Sequence, residues 1–416
     1  MSVTRRVRVA YFSPMPPSRS GIADYSALLL SALRRRIDVR VARRRLPLLR
    51  RTDVALYHVG NDPDVHGWIV KALRRRRGLV VLHDFVLHHL VAGMTLARGD
   101  AVAYAAAMER DSGAEGLALA RQVASGTAVP PWETRADEFP LVHEVLDHAD
   151  GVVVHSRYVA ERVREEGFEG RVWRIPMPVW PAPPVAAASL GGSPVFGTFG
   201  HVNPSKRLPQ LLEAFARLLD HRPGARLVIA GAVAPSSPLE ARVEELGLGD
   251  AVVRTGYVDE PRLWSLMAGC DAVVALRFPT MGETSAAALR ALALGRPLVV
   301  SDVGWFAELP RDVAIRIPLG DGETDALAAA LDALASDVEL RQAMRRAALE
   351  YVRTEHDLER VAEQYASALE WTAGGEAVTD RSLGEIAQAA ADVGLSPDST
   401  EVGEVVGALR ETGIAW

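Results

Sequence analysis

Three stretches of this sequence gather residues that can do chemistry. The first runs from Leu276 to Val300, LRFPTMGETSAAALRALALGRPLVV. Glu283, Thr284 and Ser285 place a carboxylate and two hydroxyls before an apolar run containing Ala287, Leu289, Leu292 and Ala293. That order predicts a strand end, a tight turn over Pro279 to Gly282, and a helix. The first turn of such a helix points unpaired N–H groups and a positive dipole end outward, which makes an anion site. An ordinary βα unit with a polar cap fits this stretch equally well when it stands alone. The second stretch is the turn Gly200 to Ser205, followed by Lys206 and Arg207 at the start of another apolar helix pattern. The third is His83-Asp84, with His88 and His89 shortly after.

Three histidines this close invite a metal, and the pattern argues against one. Strand gives way to helix between them, and adjacent His88 and His89 cannot easily face the same site. No carboxylate-rich or His-x3-His helix supports them. His83 ends the buried run Gly78 to Leu82, beside Asp84, where a ligand-facing side chain belongs. His88 and His89 read as packing groups. Gly21 opens a helix after the loop PPSRS, and a glycine there lets a phosphate approach the backbone closely. A plain loop glycine has the same look.

The elements that must hold these residues repeat. Arg6 to Phe12 reads as a strand and Ile22 to Leu33 as a helix, and the alternation continues to Ile175. A βα series of this kind calls for a parallel sheet covered on both faces. It lacks the G-x-G-x-x-G dinucleotide fingerprint. Pro176, Pro178, Pro181, Pro183 and Pro184, followed by small residues and Gly191-Gly192, make a linker. A second βα series starts at Val195. His356 to Trp371 is an amphipathic helix pattern, and the chain beyond is acidic. The expected architecture is α/β, with two Rossmann-like βαβ domains facing a crevice. Residues 1–178 form the first, 179–192 the linker and 193–355 the second. Residues 356–372 form a crossover helix and 373–416 an acidic tail.

Composition agrees with a globular chain. The 416 residues exceed what one core usually spans, which supports two domains. The single cysteine, Cys270, excludes an internal disulfide framework or a Cys-based zinc cluster and suits a reducing compartment. Arg5 to Phe12 is too short and too charged for a signal-peptide core, and no apolar run reaches the length of a membrane span. A cytoplasmic protein without a transmembrane segment is expected. The net charge of -6 hides an asymmetry: residues 1–100 carry 19 Lys/Arg against 7 Asp/Glu. Clusters at Arg34–Arg36, Arg43–Arg45, Arg50-Arg51 and Arg74–Arg77 could face an anionic or membrane-bound partner, which would place the protein peripherally at the inner membrane surface. Lys71 and Lys206 are the only lysines, so a habit of using arginine accounts for much of the count. No aromatic-basic interleaving or nucleic-acid module accompanies the clusters, which argues against nucleic acid.

The carboxyl half resembles the retaining glycosyltransferases of family 4, which have the GT-B fold. The resemblance rests on Phe199 to Phe215, Leu227 to Gly231, Thr255 to Leu276 and Glu283 to Gly304, in that order and spacing. The amino half matches more loosely, through Pro16 to Ser26 and Leu82 to Asp84. The resemblance implies a nucleotide-sugar donor held mainly by the second domain. Lys206 matches the lysine at the donor diphosphate, Val258 the chain passing the base, His83 the histidine at the sugar and Gly21 the glycine loop at the diphosphate. His201 stands where the family often has a second cation, arginine. Of the family's two glutamates with seven residues between them, the first falls on Gly282 and the second on Arg290. Glu283 then takes the sugar-side role with a shifted turn, and Thr284 and Ser285 offer hydroxyls and N–H groups to the β-phosphate. Arg290 cannot accept the ribose hydroxyls as a glutamate does.

The implied activity is retaining transfer of a hexose-type sugar from a nucleotide-diphosphate sugar to an unidentified acceptor, with no metal and no cofactor. His83, Lys206 and Glu283 carry the catalytic roles, and closure about the linker would exclude water. Two alternatives stay open: a nucleotide-sugar-binding protein without catalysis, and a nucleotide-sugar epimerase on the same fold.

Overall fold

In a computed structural model the described residues are 6–18, 20–43, 52–234 and 239–374. Most of the proposed acidic tail, and the clustered residues Arg44, Arg45, Arg50 and Arg51, lie outside them. The chain forms two compact units. Among the described residues, the first runs to Pro178 and takes in Met281–Glu283 and residues 358–374. The second holds Val179–Thr280 and Thr284–Asp357.

The first unit is built on six strands: β1 (Arg8–Phe12), β2 (Asp38–Val41), β3 (Val54–Val59), β4 (Gly78–Leu82), β5 (Ala149–Val154) and β6 (Arg171–Arg174). All pair in parallel, in the order β2-β1-β3-β4-β5-β6. Every residue of β3 and β4 is buried. That is why these strands read as continuous apolar runs rather than alternating ones. Strand order reverses between β1 and β3, so the loops after them diverge and leave an opening at the carboxyl edge. A long helix, Ala101–Ala124, breaks at Ser112 and Gly113, where φ is -134° and 59°. Its glycine supplies the left-handed turn.

The second unit has β7 (Val195–Phe199), β8 (Arg226–Ala230), β9 (Val252–Gly256), β10 (Ala272–Ala275), β11 (Leu298–Ser301) and β12 (Ala314–Ile317). These too are parallel, in the order β12-β11-β10-β7-β8-β9. This is the 3-2-1-4-5-6 Rossmann order, with its reversal between β7 and β10. The segment before β7 is docked on this unit: Ala188 N donates to Ser265 O (2.9 Å) and Ser265 Oγ to Ala186 O (2.8 Å). Among the described residues no helix is long and apolar enough to cross a membrane.

The helix Leu358–Gly374 belongs to the first unit. Arg36 pairs with its Glu359 at 2.8 Å, and Trp371 meets Trp173 edge-on at 5.2 Å. Its Tyr365 hydroxyl shares a 2.7 Å hydrogen bond with that of Tyr25, and both side chains are buried. Removing one hydroxyl strands the other away from water. Tyr365→Phe should therefore destabilise the chain by about 1–3 kcal/mol, read as a lowered urea midpoint with unchanged slope. An unchanged midpoint would show that the pair contributes nothing.

Candidate functional site

In the second unit, the loops after β7 and β10 leave the sheet on either side of the strand-order reversal. The loop after β7 carries Gly200, His201 and, in a short 3-10 turn Pro204–Lys206, the predicted Lys206. Its Nζ donates to Phe199 O at 3.1 Å, which holds the ammonium over the end of β7. Arg207 has a different job. It sits at φ 55° and pairs with Glu323, a carboxylate only 3% exposed. His201 is exposed.

The sequence reading missed a second cation here. Arg277, two residues past β10, donates through Nη1 to Ser205 Oγ at 2.8 Å. Its own N–H donates to Ser301 Oγ at 2.9 Å, and Phe278 N donates to Ser205 O at 2.8 Å. The Lys206 turn is thus stitched to the end of β10, and Arg277 stands one residue from Lys206 through Ser205. The available signal was a charged residue directly after the buried run of β10, the pattern that had singled out His83.

The helix of the opening stretch spans Ala286–Ala293. Ser285 is its N-cap, and its Oγ accepts from Ala288 N at 3.2 Å, so that hydroxyl serves the helix. Thr284 Oγ1 is buried with no hydrogen-bond partner among the described residues. Val258 is half-buried in the loop after β9, beside Tyr257, which is 68% exposed. Arg290 lies with its guanidinium 3.9 Å from the Trp180 ring centroid, and its Nη2 reaches Glu260 Oε1 at 3.4 Å.

The remaining predicted residues are in the first unit. Gly21 begins the helix Gly21–Leu33 behind its cap Ser20, and nothing lies within 4 Å of where a Cβ would sit. Packing does not require that glycine. Gly282 differs: φ is 81°, and a Cβ would come within 2.6 Å of Phe85 Cβ. Any side chain there would meet Phe85 and a strained backbone. Met281 O accepts from Phe85 N (2.7 Å) and Val86 N (3.0 Å), so this segment sits against the loop that follows His83. Glu283 Oε2 accepts from Met281 N at 2.8 Å.

His83 is one of three buried histidines, with His58 and His155, packed around Tyr25. Its Nε2 lies 3.0 Å from His58 Nδ1. His58 Nε2 is buried with no hydrogen-bond partner among the described residues. A sealed lone pair costs less than a stranded N–H. The His58 proton therefore belongs on Nδ1, donated to His83, and the His83 proton is left on Nδ1. Burial, then the neighbouring histidines, holds the His83 imidazole well below its ordinary pKa, so it is neutral. His88 is a packing group, with Nδ1 on Phe139 O (2.7 Å) and Nε2 on Tyr104 OH (2.8 Å).

Elsewhere in this unit, Asp111, His143 and Glu166 bring ligand atoms within 4.8 Å of one another. They also hold each other and the chain: His143 Nε2 is 3.2 Å from Glu166, and Asp111 accepts from Leu141 N at 3.0 Å. Part of the basic clusters is paired internally. Arg36 meets Glu359, Arg74 meets Glu144, and Arg77 meets Asp150.

Two Rossmann-like units, one with a cationic turn and a helix start at its strand-order reversal, define the GT-B fold class. Comparison with solved structures agrees. Sucrose-phosphate synthase from Thermosynechococcus elongatus superposes with a TM-score of 0.61 at 17% identity, covering 87% of this chain and 98% of that one. Anabaena HepE, solved with UDP-glucose, gives 0.59 at 16%, covering 88% and 99%. Residues 186–351 match the family glycosyl transferases group 1, so the second unit carries a domain of that family. A GDP-mannose-dependent phosphatidylinositol dimannoside mannosyltransferase of Mycobacterium tuberculosis is 36% identical over 112 residues, 26% of this chain and 28% of that protein. A D-inositol 3-phosphate glycosyltransferase of Nocardia farcinica is 30% identical over 202 residues, 44% and 43% of the two chains. The matched part spans less than half the length of either curated relative.

Two expectations follow. Gly231, at the end of β8, lies against the Lys206 turn: a Cβ there would stand 2.0 Å from Gly200 O. Gly231→Ala should displace that turn and weaken anion binding about tenfold or more while the far-UV spectrum is retained; undiminished binding of a nucleoside diphosphate would contradict this placement. Burial, the leading cause, lowers the pKa of both His66 and His88 to about 4, against an ordinary value of 6.5. The unfolded chain takes those protons near pH 6.5 and the folded chain resists until about pH 4. Their contribution is complete above pH 6.5 and is lost as pH falls toward 4. The thermal midpoint should drop on acidification through this window, with a shallower slope in His88→Gln; equal slopes would refute a neutral His88.

Proposed function

We propose that this protein is a retaining glycosyltransferase. It moves a sugar, of hexose type, from a nucleoside diphosphate sugar to an acceptor without using a metal. The observation that carries this reading is the pair Lys206 and Arg277, joined through Ser205 at the strand-order reversal of the second unit. Two cations there suit a diphosphate, and the start of Ala286–Ala293 opens from the neighbouring loop with its dipole favouring the same charge. The domain match and relatives whose names include GDP-mannose-dependent transfer support the same donor class.

The chemistry follows from charge. As the bond between sugar and diphosphate breaks, negative charge grows on the leaving phosphate and positive charge on the sugar. Lys206 and Arg277 stabilise the first, an effect of the kind that usually dominates such barriers. The acceptor hydroxyl attacks the anomeric carbon from the face the diphosphate leaves, the bond to the phosphate oxygen breaks, and the hydroxyl proton passes to that departing oxygen. His83, neutral and protonated on Nδ1, offers a hydrogen bond to the sugar rather than acting as a base. Glu283, tied by the Met281 N–H, contributes a fixed carboxylate near His83's loop. We place the reaction in the cytoplasm on the evidence of a lone, buried, unpaired cysteine.

Lys206→Ala should lower release of nucleoside diphosphate from the donor by about 100-fold or more. Mass spectrometry of the product glycoside fixes the transfer, and NMR its anomeric configuration. Turnover unchanged in Lys206→Ala would overturn the site. An inverted product would overturn the retaining mechanism.

A further inference from the structure

The helix Glu260–Ala268 leads from β9 back to β10. In a parallel sheet the helix after a strand begins at that strand's carboxyl edge, so Glu260 lies on the same edge as the Lys206 turn and the Ser285 cap. Arg290, the fifth residue of Ala286–Ala293, reaches it there. The Arg290 side chain is 8% exposed and its guanidinium lies 3.9 Å from the centroid of Trp180 and 6.0 Å from that of Trp264. Arg290 Nη2 and Trp264 Nε1 both donate to Glu260 Oε1, each at 3.4 Å. Glu260 is 52% exposed, and its Oε2 accepts no hydrogen bond from a described residue.

This is a carboxylate with one oxygen seated and the other available. A carboxylate can only accept. Its charge is already balanced by a guanidinium buried between two indoles, so a cationic ligand would meet Arg290 as a repelling neighbour. A neutral group with two adjacent hydroxyl donors meets no such penalty. We propose that Glu260 accepts the vicinal hydroxyls of the ribose of the bound nucleoside diphosphate, with Arg290, Trp180 and Trp264 as its seat. The inference rests on the donor reading above. It makes Arg290 a positioning residue and Glu260 the ribose-recognising one.

The experiment compares UDP and GDP with their 2′,3′-dideoxy forms by calorimetry on the full chain. Wild type should bind one ribonucleotide about tenfold or more tightly than its dideoxy form. Glu260→Ala should erase that gap while its affinity for the dideoxy form stays within about twofold of wild type, which also reports that the variant is folded. Glu260→Gln, which keeps one acceptor oxygen, should fall between. A full gap surviving in Glu260→Ala would overturn the assignment to Glu260 and leave the donor reading intact. If wild type bound neither nucleotide, the donor reading would fail and this inference with it.

Discussion

The second unit depends on one topological constraint, the reversal of strand order between β7 and β10. Neighbouring parallel strands whose connections leave in opposite directions cannot cover their own carboxyl ends. The loop after β7 and the loop after β10 must close that opening themselves. Here Ser205 does so twice, accepting Phe278 N with its carbonyl and the Arg277 guanidinium with its hydroxyl. Gly200, at φ 101°, turns the chain out of β7, and Gly231 leaves room for Gly200 O to approach. With those loops pinned, two cations stand at the edge of a sheet whose strands are otherwise apolar. A sheet edge of this kind is specific for charge before it is specific for any particular molecule.

The sequence is legible where burial is symmetric. Strands such as β3, β4 and β7 are buried throughout, so they read as mostly apolar runs, and β4 leads directly into His83. That pattern located His83. Applied to β10 it would also have located Arg277, whose partner Ser205 is 72 positions away and gives no local sign. Gly282-Glu283 was visible in the sequence, but the need for the glycine was not. The reason is Phe85, nearly two hundred positions earlier, against which only a glycine fits. The basic clusters pose the same problem of distance. They look like an open patch when counted along the chain, whereas Arg36 is balanced by Glu359 across 323 positions. Runs of one charge say little about a surface until their partners are known.

The histidines show how burial fixes chemistry. His58, His83 and His155 cluster around Tyr25, and neighbouring imidazoles raise the cost of charging His58 and His83. Desolvation and mutual repulsion act in the same direction, so neutrality there is over-determined. His155 Nδ1 faces Ile175 O at 2.8 Å, which keeps a proton on that nitrogen. Hydrogen bonds then settle which nitrogen of each ring carries hydrogen. A histidine at the mouth of a sheet is often taken as an acid or base. In this setting the physics supports a donor with a fixed direction.

Arg290 makes the complementary argument for a buried charge. A guanidinium in place of an acceptor inside a helix would be costly without compensation. The structure supplies it on three sides: the face of Trp180, the ring of Trp264 and the carboxylate of Glu260. Trp180 comes from the proline-rich segment, Trp264 and Glu260 from one helix and Arg290 from another, so no one of them could have changed alone without leaving an unpaired charge or an empty face. Glu260, presented from the neighbouring helix, thus sets a carboxylate beside Arg290 on the same edge of the sheet.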